Sequence, residues 1–166
     1  MESDNRPESF RLLFVCSGNT CRSPLAHALA EREMTTLGWR VEVRSAGVGA
    51  ISGEPASEGS LVVGRRHGLD LGGHRSRVVD DALIDWADLI LVMSTSHLLR
   101  LAEFGAAGKA ALLDAFGRGD EADADDLGVG VPDPFGGDHE AYEETYRTLE
   151  DLVGKALRRL EPILAP

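Results

Sequence analysis

A cysteine and an arginine separated by five residues stand immediately after an apolar run of the chain. Cys16 and Arg22 follow residues 12–15, and Pro24 comes two residues after the arginine. The apolar run predicts a buried strand, and the proline predicts the first turn of a helix. The loop between them contains Gly18, so its backbone N–H groups can turn inward and join the positive end of the helix. This arrangement predicts a site for an oxyanion of the phosphate type.

The same loop predicts a reactive thiol. Backbone N–H dipoles, a helix N-terminus and a guanidinium group all favour the deprotonated, nucleophilic form of a cysteine. Cys16 is therefore the candidate nucleophile. The planar fork of Arg22 can hold two phosphoryl oxygens at once, and this interaction strengthens as charge develops in a transition state. Ser23 follows directly and is placed to donate its hydroxyl proton to the thiolate.

The ten residues Val15–Pro24 resemble the signature of the low-molecular-weight protein tyrosine phosphatase family. The resemblance runs along nearly the whole chain, through the segments Arg44–Gly47, His74–Arg77, Ala87–Met93 and Pro132–Gly137. It implies an enzyme without metal or cofactor that hydrolyses phosphorylated protein side chains through a cysteinyl-phosphate. In such an enzyme the phosphoryl group is bound by the loop residues Ser17, Gly18, Asn19, Thr20, Cys21, Arg22 and Ser23.

Asp133 is the candidate proton donor. Transfer of a phosphoryl group to Cys16 leaves an oxygen or nitrogen that needs a proton, and Asp133 lies between two prolines in a long loop. From the loop alone, an aspartate that only fills a turn is an equally good interpretation. The resemblance assigns Asp133 as the general acid, which then activates a water molecule to hydrolyse the phosphocysteine.

The resemblance also implies that three polar residues brace the phosphate loop, namely Asn19, Ser45 and His74. A loop that holds several N–H groups inward is strained and needs donors and acceptors around it to keep that shape. A lone histidine is more often a surface residue without a role. The position of His74 directly before residues 75–77 favours the bracing role.

Thr20 and Phe135 bear on which phosphorylated residue is the substrate. Tyrosine-directed members of the family usually have a bulky aliphatic residue at the position of Thr20, whereas the protein arginine phosphatase branch resembles this chain in having threonine. A threonine hydroxyl accepts a hydrogen bond from a guanidinium N–H group, which isoleucine cannot do. Tyrosine-directed members often have a second aromatic residue where this chain has Gly136 after Phe135. Both differences favour phosphoarginine, with phosphotyrosine as the alternative.

Cys21 lies five residues from Cys16 on the same loop. If the two sulfurs come within disulfide range, peroxide can convert the nucleophile into a reversible disulfide and protect it from further oxidation. A small buried thiol packed under the loop is nearly as good an interpretation.

The composition favours a single phosphatase domain at residues 10–166, preceded by a flexible polar tail at residues 1–9. A formal net charge of −11 argues against a nucleic-acid-binding protein, whose binding surface is basic. No run approaches the roughly 18 apolar residues of a membrane span, and no signal region is visible. We therefore expect a cytoplasmic monomer or weak dimer that acts on phosphorylated protein and binds neither nucleic acid nor membrane.

Strands are predicted by apolar runs at residues 11–15, 89–93 and 110–113 and by an alternating run at residues 41–43. Helical patterns lie between and after them, at residues 23–37, 56–67, 80–86, 95–103 and 138–160. Strands that alternate with helices predict a parallel sheet covered on both faces. The expected fold is α/β and flavodoxin-like, with three layers and a four-stranded parallel sheet, and it places ligands at the carboxyl ends of the strands.

Residues 114–137 are predicted to be the longest irregular segment. Its acidic cluster lacks the glycine and the terminal glutamate of a calcium loop and is interpreted as a solvated surface. The cluster consists of Asp120, Glu121, Asp123, Asp125 and Asp126.

Two other functions remain open at this point. An arsenate reductase shares the fold and the cysteine loop, but it relays electrons through further cysteines, and no cysteine follows Cys21. A phosphocarrier would accept the phosphoryl group on Cys16 and pass it to a partner. Asp133 discriminates against the carrier, because a carrier needs no general acid for hydrolysis.

Overall fold

A four-stranded parallel sheet lies at the centre of the protein, in a computed structural model that describes residues 9–119 and 130–165. The strands are β1 (Phe10–Cys16), β2 (Val41–Gly47), β3 (Leu89–Val92) and β4 (Ala110–Leu112), in the order β2-β1-β3-β4. The predicted α/β sheet is confirmed. Because β2 and β3 lie on opposite sides of β1, the strand order reverses beside β1 and opens a crevice at its carboxyl end.

Strand β1 carries the sequence signal of a fully buried strand, and the structure shows why. Leu12 and Phe14 belong to the hydrophobic core on one face of the sheet, and Leu13 and Val15 belong to the core on the other face. All four side chains are fully buried. Successive side chains of a strand point to opposite faces, so a sheet covered on both faces requires an uninterrupted apolar run.

Helices cover both faces of the sheet. The first core contains side chains from α1 (Arg22–Leu37), α2 (Glu58–Arg66), α5 (Leu113–Arg118) and α6 (His139–Leu164). The second core contains side chains from α3 (Asp81–Trp86) and α4 (Thr95–Glu103). A short 3-10 helix at Ala107–Lys109 precedes β4. The described residues include no helix with both the length and the apolar character needed to span a bilayer.

Helix α5 corrects the prediction that residues 114–137 are irregular from their start. The fourth strand ends at Leu112, one residue earlier than predicted, and Leu113 begins α5. Leu113 and Phe116 pack in the same core as α6, and a Cβ added at Gly117 would lie 3.0 Å from the Cβ of Lys155 on α6. This short helix is therefore stabilised by its neighbour rather than by its own sequence. The acidic cluster lies outside the described residues, as do residues 1–8 of the predicted tail.

Candidate active site

The loop at residues 17–21 joins β1 to α1, and its carbonyl groups are held from outside. The carbonyls of Cys16 and Ser17 accept hydrogen bonds from the backbone N–H groups of Val48 and Gly49, at 3.0 and 2.9 Å. None of the N–H groups at residues 17–21 donates to another residue of the described chain. Backbone N–H groups normally find a partner. A loop with engaged carbonyls and available N–H groups is a cradle for an anion.

Asn19 keeps the loop in this shape. Its φ of +56° lies in the left-handed region, which costs a non-glycine residue about 1–2 kcal/mol. Its buried Nδ2 donates to Ser23 Oγ at 2.7 Å and to Ser45 Oγ at 3.0 Å, and its Oδ1 accepts from Arg77 N–H at 2.9 Å. His74 Nε2 donates to the Asn19 carbonyl at 2.7 Å. The structure thus brings together the three residues for which the resemblance implied bracing.

Two features around Asn19 fit this role. Burial lowers the pKa of His74 below its ordinary value of 6.5, so at neutral pH the ring is neutral and its Nε2–H group is fixed by the carbonyl that accepts from it. Gly47, at the end of β2, allows the loop to approach, because a Cβ there would collide with the Ser17 carbonyl oxygen and the Asn19 amide nitrogen. Ala and larger residues are therefore incompatible with the position of the loop.

Cys16 lies at the base of the cradle and is only 2% exposed. Its Sγ is 2.9 Å from Ser23 Oγ. The Ser23 hydroxyl has a second acceptor in reach, the Ala46 carbonyl at 3.4 Å. Asn19 Nδ2 occupies a lone pair of Ser23 Oγ, so the single hydroxyl proton is shared between the Ala46 carbonyl and Cys16 Sγ. A thiolate at Cys16 is the nearer and the charged acceptor and therefore receives that proton.

Arg22 connects the loop to the segment that carries Asp133. Its side chain is buried, and its Nη1 donates to the Val131 carbonyl at 3.0 Å. Its Nη2 lies 3.4 Å from Ser17 Oγ and 3.6 Å from Asp133 Oδ2. The other carboxylate oxygen of Asp133 accepts from Phe135 N–H at 3.1 Å. The carboxylate is thus held over the loop in a tight turn, and half of the side chain remains exposed.

These groups line one cavity of about 300 Å³ at the carboxyl end of β1. Phe135 lies at its rim with 72% of its surface exposed. The described residues contain no cluster of three or more His, Cys, Asp or Glu side chains that could hold a metal ion. The residues around the cavity are Cys16, Ser17, Gly18, Thr20, Cys21, Arg22, Gly49, Asp133 and Phe135.

Cys21 has polar contacts of its own. Its Sγ donates to Ser57 Oγ at 3.2 Å and lies 3.5 Å from the hydroxyl of Tyr142. Burial raises the pKa of Tyr142 to about 12, so this hydroxyl stays protonated at neutral pH. Both cysteines are free thiols.

His97 is a residue of the site that the sequence analysis did not single out. Its Nε2 lies 2.9 Å from Ser17 Oγ, and its Nδ1 accepts from Ser94 N–H at 3.1 Å. His97 is 1% exposed. Burial, together with the charge of Arg22, lowers its pKa from 6.5 to about 4. Its position in the sequence could have identified it. His97 lies three residues after a serine N-cap that follows β3, at the edge where ligands bind in such sheets.

His97 predicts a specific pH dependence of stability. In the unfolded chain its pKa is about 6.5, and in the folded protein it is about 4. Between these values the unfolded state binds more protons, so the free energy of unfolding falls as the pH decreases, by up to about 3 kcal/mol from this residue. We expect urea unfolding at pH 7, 6 and 5 to show this decrease and the variant His97→Asn to show a smaller one. Equal pH slopes for the two proteins would contradict the assignment.

Comparisons with known proteins agree with this geometry. The model of the low molecular weight phosphotyrosine protein phosphatase family matches residues 11–162. A protein-arginine-phosphatase of Geobacillus stearothermophilus is 37% identical over 154 residues, which cover 92% of this chain and 97% of that protein. The structure of a low molecular weight protein tyrosine phosphatase from T. tengcongensis has a TM-score of 0.83 and 35% identity, covering 92% of this chain and 100% of that one.

A second similar structure carries a phosphoryl group on its active-site residue. It is a mutant of YwlE arginine phosphatase with a phosphorylated active-site serine, and it has a TM-score of 0.83 at 31% identity, covering 92% of this chain and 96% of that one. The family model spans most of the chain, and these three proteins align with the chain over nearly their whole length. The resemblance seen in the cysteine loop is confirmed, and the chain belongs to the low molecular weight phosphotyrosine protein phosphatase family.

Proposed function

We propose that this protein hydrolyses phosphorylated protein side chains by covalent catalysis at Cys16. The Cys16 thiolate attacks phosphorus, so an S–P bond forms while the bond from phosphorus to the leaving oxygen or nitrogen breaks. Arg22 and the loop N–H groups bind the non-bridging oxygens, and Asp133 protonates the leaving atom. The observation that carries the proposal is the convergence of Cys16, Arg22 and Asp133 on one cavity over a loop with available N–H groups.

The second half of the reaction reuses the same residues. Asp133, now a carboxylate, accepts a proton from a water molecule as that water attacks phosphorus, and the S–P bond breaks to return the Cys16 thiolate. The contact between Arg22 Nη2 and Asp133 Oδ2 supports this assignment, because it places the carboxylate next to the group that holds the phosphoryl oxygens. Ser23 then stabilises the departing thiolate through its hydroxyl.

The test of the proposal is direct. Purified protein should release inorganic phosphate from phosphoarginine or phosphotyrosine peptides, with many turnovers, in the presence of EDTA and without an acceptor molecule. A phosphocarrier would stop after one phosphoryl group per chain, and a metal-dependent enzyme would lose activity with EDTA. Either outcome would contradict the proposed mechanism.

We propose phosphoarginine as the preferred substrate, with phosphotyrosine as the alternative. Thr20 lines the cavity, and among the described residues its hydroxyl has only one hydrogen-bonding partner, Cys21 Sγ at a long 3.8 Å. That hydroxyl is available to accept a hydrogen bond from a guanidinium N–H group. The similar protein-arginine-phosphatase supports this choice. The exposed ring of Phe135 supports phosphotyrosine, because it offers a flat apolar surface for a phenyl ring.

We expect Thr20→Ile to shift the preference from phosphoarginine toward phosphotyrosine. The substitution removes the acceptor for the guanidinium and enlarges the apolar wall beside an aryl ring. A substrate N–H group left without a partner in a desolvated pocket costs about 1–3 kcal/mol, so the ratio of the two kcat/KM values should change roughly 5- to 150-fold. The measurement is kcat/KM for both phosphopeptides, with Thr20→Ser as the control that keeps the hydroxyl. An unmoved ratio would refute this specificity role.

We also propose that Cys21 is a redox partner of Cys16. Peroxide oxidises the Cys16 thiolate to a sulfenic acid, and the Cys21 thiol displaces water from it to form a disulfide. The position of both cysteines around one cavity supports this role, whereas the hydrogen bonds of Cys21 to Ser57 and Tyr142 support the packing alternative. We further propose that residues 10–166 form a single phosphatase domain and that the protein is a monomer or weak dimer. We propose a cytoplasmic location, because that compartment keeps both thiols reduced.

A further inference from the structure

We propose that the side-chain hydroxyl of Ser17 donates a hydrogen bond to the transferring phosphoryl group and that the buried His97 positions it. This inference rests on the proposed phosphatase function and adds to it. The proposed function uses residue 17 through its backbone N–H group, whereas here its side chain acts on the substrate and a histidine on another element sets its direction. Ser17 would then be a catalytic residue, and His97 a positioning residue.

The hydrogen bonds of His97 fix its tautomer. A backbone N–H group can only donate, so the hydrogen bond from Ser94 N–H at 3.1 Å requires an unprotonated Nδ1. In a neutral imidazole the other nitrogen then carries the proton. The Nε2–H group faces Ser17 Oγ at 2.9 Å, which makes the serine oxygen the acceptor. Because burial keeps His97 neutral at neutral pH, this direction of donation is fixed.

Both lone pairs of the Ser17 hydroxyl are occupied by donors, which leaves its proton available. A hydroxyl group has two lone pairs and one proton. Nε2–H of His97 occupies one lone pair, and the Nη2 group of Arg22, at 3.4 Å, donates to the other. No acceptor in the described part of the chain binds the Ser17 hydroxyl proton. That proton is therefore directed away from both donors.

The Ser17 hydroxyl lies at the cavity where the substrate binds. Ser17 is exposed and lines the cavity that contains Cys16. Its oxygen is adjacent to the Nη2 group of Arg22, one of the two nitrogens with which the guanidinium fork can hold phosphoryl oxygens. A phosphoryl oxygen bound to Nη2 is thus the acceptor that the substrate brings next to the Ser17 hydroxyl. The group is oriented before the substrate arrives, so it needs no reorganisation during the reaction.

Ser17→Ala tests the hydroxyl. A hydrogen bond to a charged group is strong enough for about a 10- to 100-fold effect, so we expect kcat/KM to fall by about that factor. The fall should be equal for phosphoarginine and phosphotyrosine peptides, because the contact is to the phosphoryl group that both share. Competitive inhibition by inorganic phosphate should weaken as well, and Ser17→Thr, which keeps a hydroxyl, should restore most of both. Values for Ser17→Ala within twofold of the original protein would overturn the proposal.

His97→Asn tests the positioning. The Oδ1 of asparagine can still accept from Ser94 N–H, but the shorter side chain lacks a donor that reaches Ser17. We expect a smaller loss than in Ser17→Ala, and the double variant should be no worse than Ser17→Ala alone. Ser96→Ala is the matched control, because Ser96 Oγ contacts Ser94 Oγ in the same turn and does not contact Ser17. Additive losses in the double variant would show that His97 does not act through Ser17 and would overturn its role.

The tautomer of His97 can also be measured in the protein without any substitution, so the result does not depend on whether a variant folds. Nitrogen chemical shifts of the His97 ring in the unaltered protein should show the Nε2–H tautomer at neutral pH, and its Nε2–H signal should move when inorganic phosphate is added. The Nδ1–H tautomer would overturn the proposal. This measurement needs no turnover, so a protein that binds phosphate with the expected tautomer but releases none from peptides would refute the phosphatase function and not the Ser17 contact.

Discussion

Replacing Cys16 with serine is expected to abolish turnover while leaving the fold and the binding of oxyanions intact. A serine hydroxyl is almost entirely protonated at neutral pH and is a poor nucleophile without a general base beside it. Removing a catalytic nucleophile commonly costs several orders of magnitude, and we expect at least about a 10⁴-fold loss in kcat. The measurement is the release of inorganic phosphate from phosphopeptides under saturating conditions.

The same variant also distinguishes the role of the thiolate from that of the loop that binds the oxyanion. Oxyanions are bound by the loop N–H groups and by Arg22, none of which the substitution changes, so the dissociation constant of inorganic phosphate measured by calorimetry should stay within a few-fold of the original. The melting temperature should stay close to the original as well. Hydrolysis retained above a few per cent of the original rate would refute the nucleophile assignment. Lost phosphate binding would instead show that the sulfur is part of the cradle.

The parts of this site that are formed by residues close together in the sequence could be predicted from the sequence. An apolar run, a cysteine loop and a helix-starting proline are contiguous from residue 12 to residue 24, so strand, cradle and helix could be predicted together. The same holds for α4, whose predicted bounds agree with the structure. Such features depend on hydrogen bonds and side chains within a few residues of one another.

The contacts that were missed join residues that are distant in sequence. His97 lies 80 residues from Ser17, and the Val131 carbonyl lies 109 residues from Arg22. The first contact exists because β3 pairs with β1, so that the residues following both strands meet at one edge of the sheet. The pattern of apolar and polar residues within one segment does not specify which strands pair with each other. Helix α5 was missed for a related reason, since its stability comes from packing against α6 rather than from its own six residues.

Replacing Asp133 with alanine is expected to slow the hydrolysis of substrates with poor leaving groups far more than that of activated aryl phosphates. A poor leaving group needs a proton as its bond to phosphorus breaks, whereas an activated phenolate departs without one. A general acid contributes about 10²- to 10⁴-fold, so we expect a loss of that size for phosphopeptides and at most a few-fold loss for p-nitrophenyl phosphate in the first, phosphoryl-transfer step. Rapid-mixing measurement of phenolate release isolates that step from the later hydrolysis.

Asp133→Asn is the matched control for the loop. Its side-chain oxygen can still accept from Phe135 N–H, so the turn that holds residue 133 is kept, but the amide is not an acid. Both variants also remove a negative charge that lies 3.6 Å from the Nη2 group of Arg22. Inorganic phosphate should therefore bind as tightly as before or more tightly, because a carboxylate no longer repels it. If residue 133 only held the turn, Asp133→Asn would keep nearly full activity, and Asp133→Ala would bind phosphate more weakly and lose activity equally on peptides and activated esters. Those results would refute the general-acid assignment.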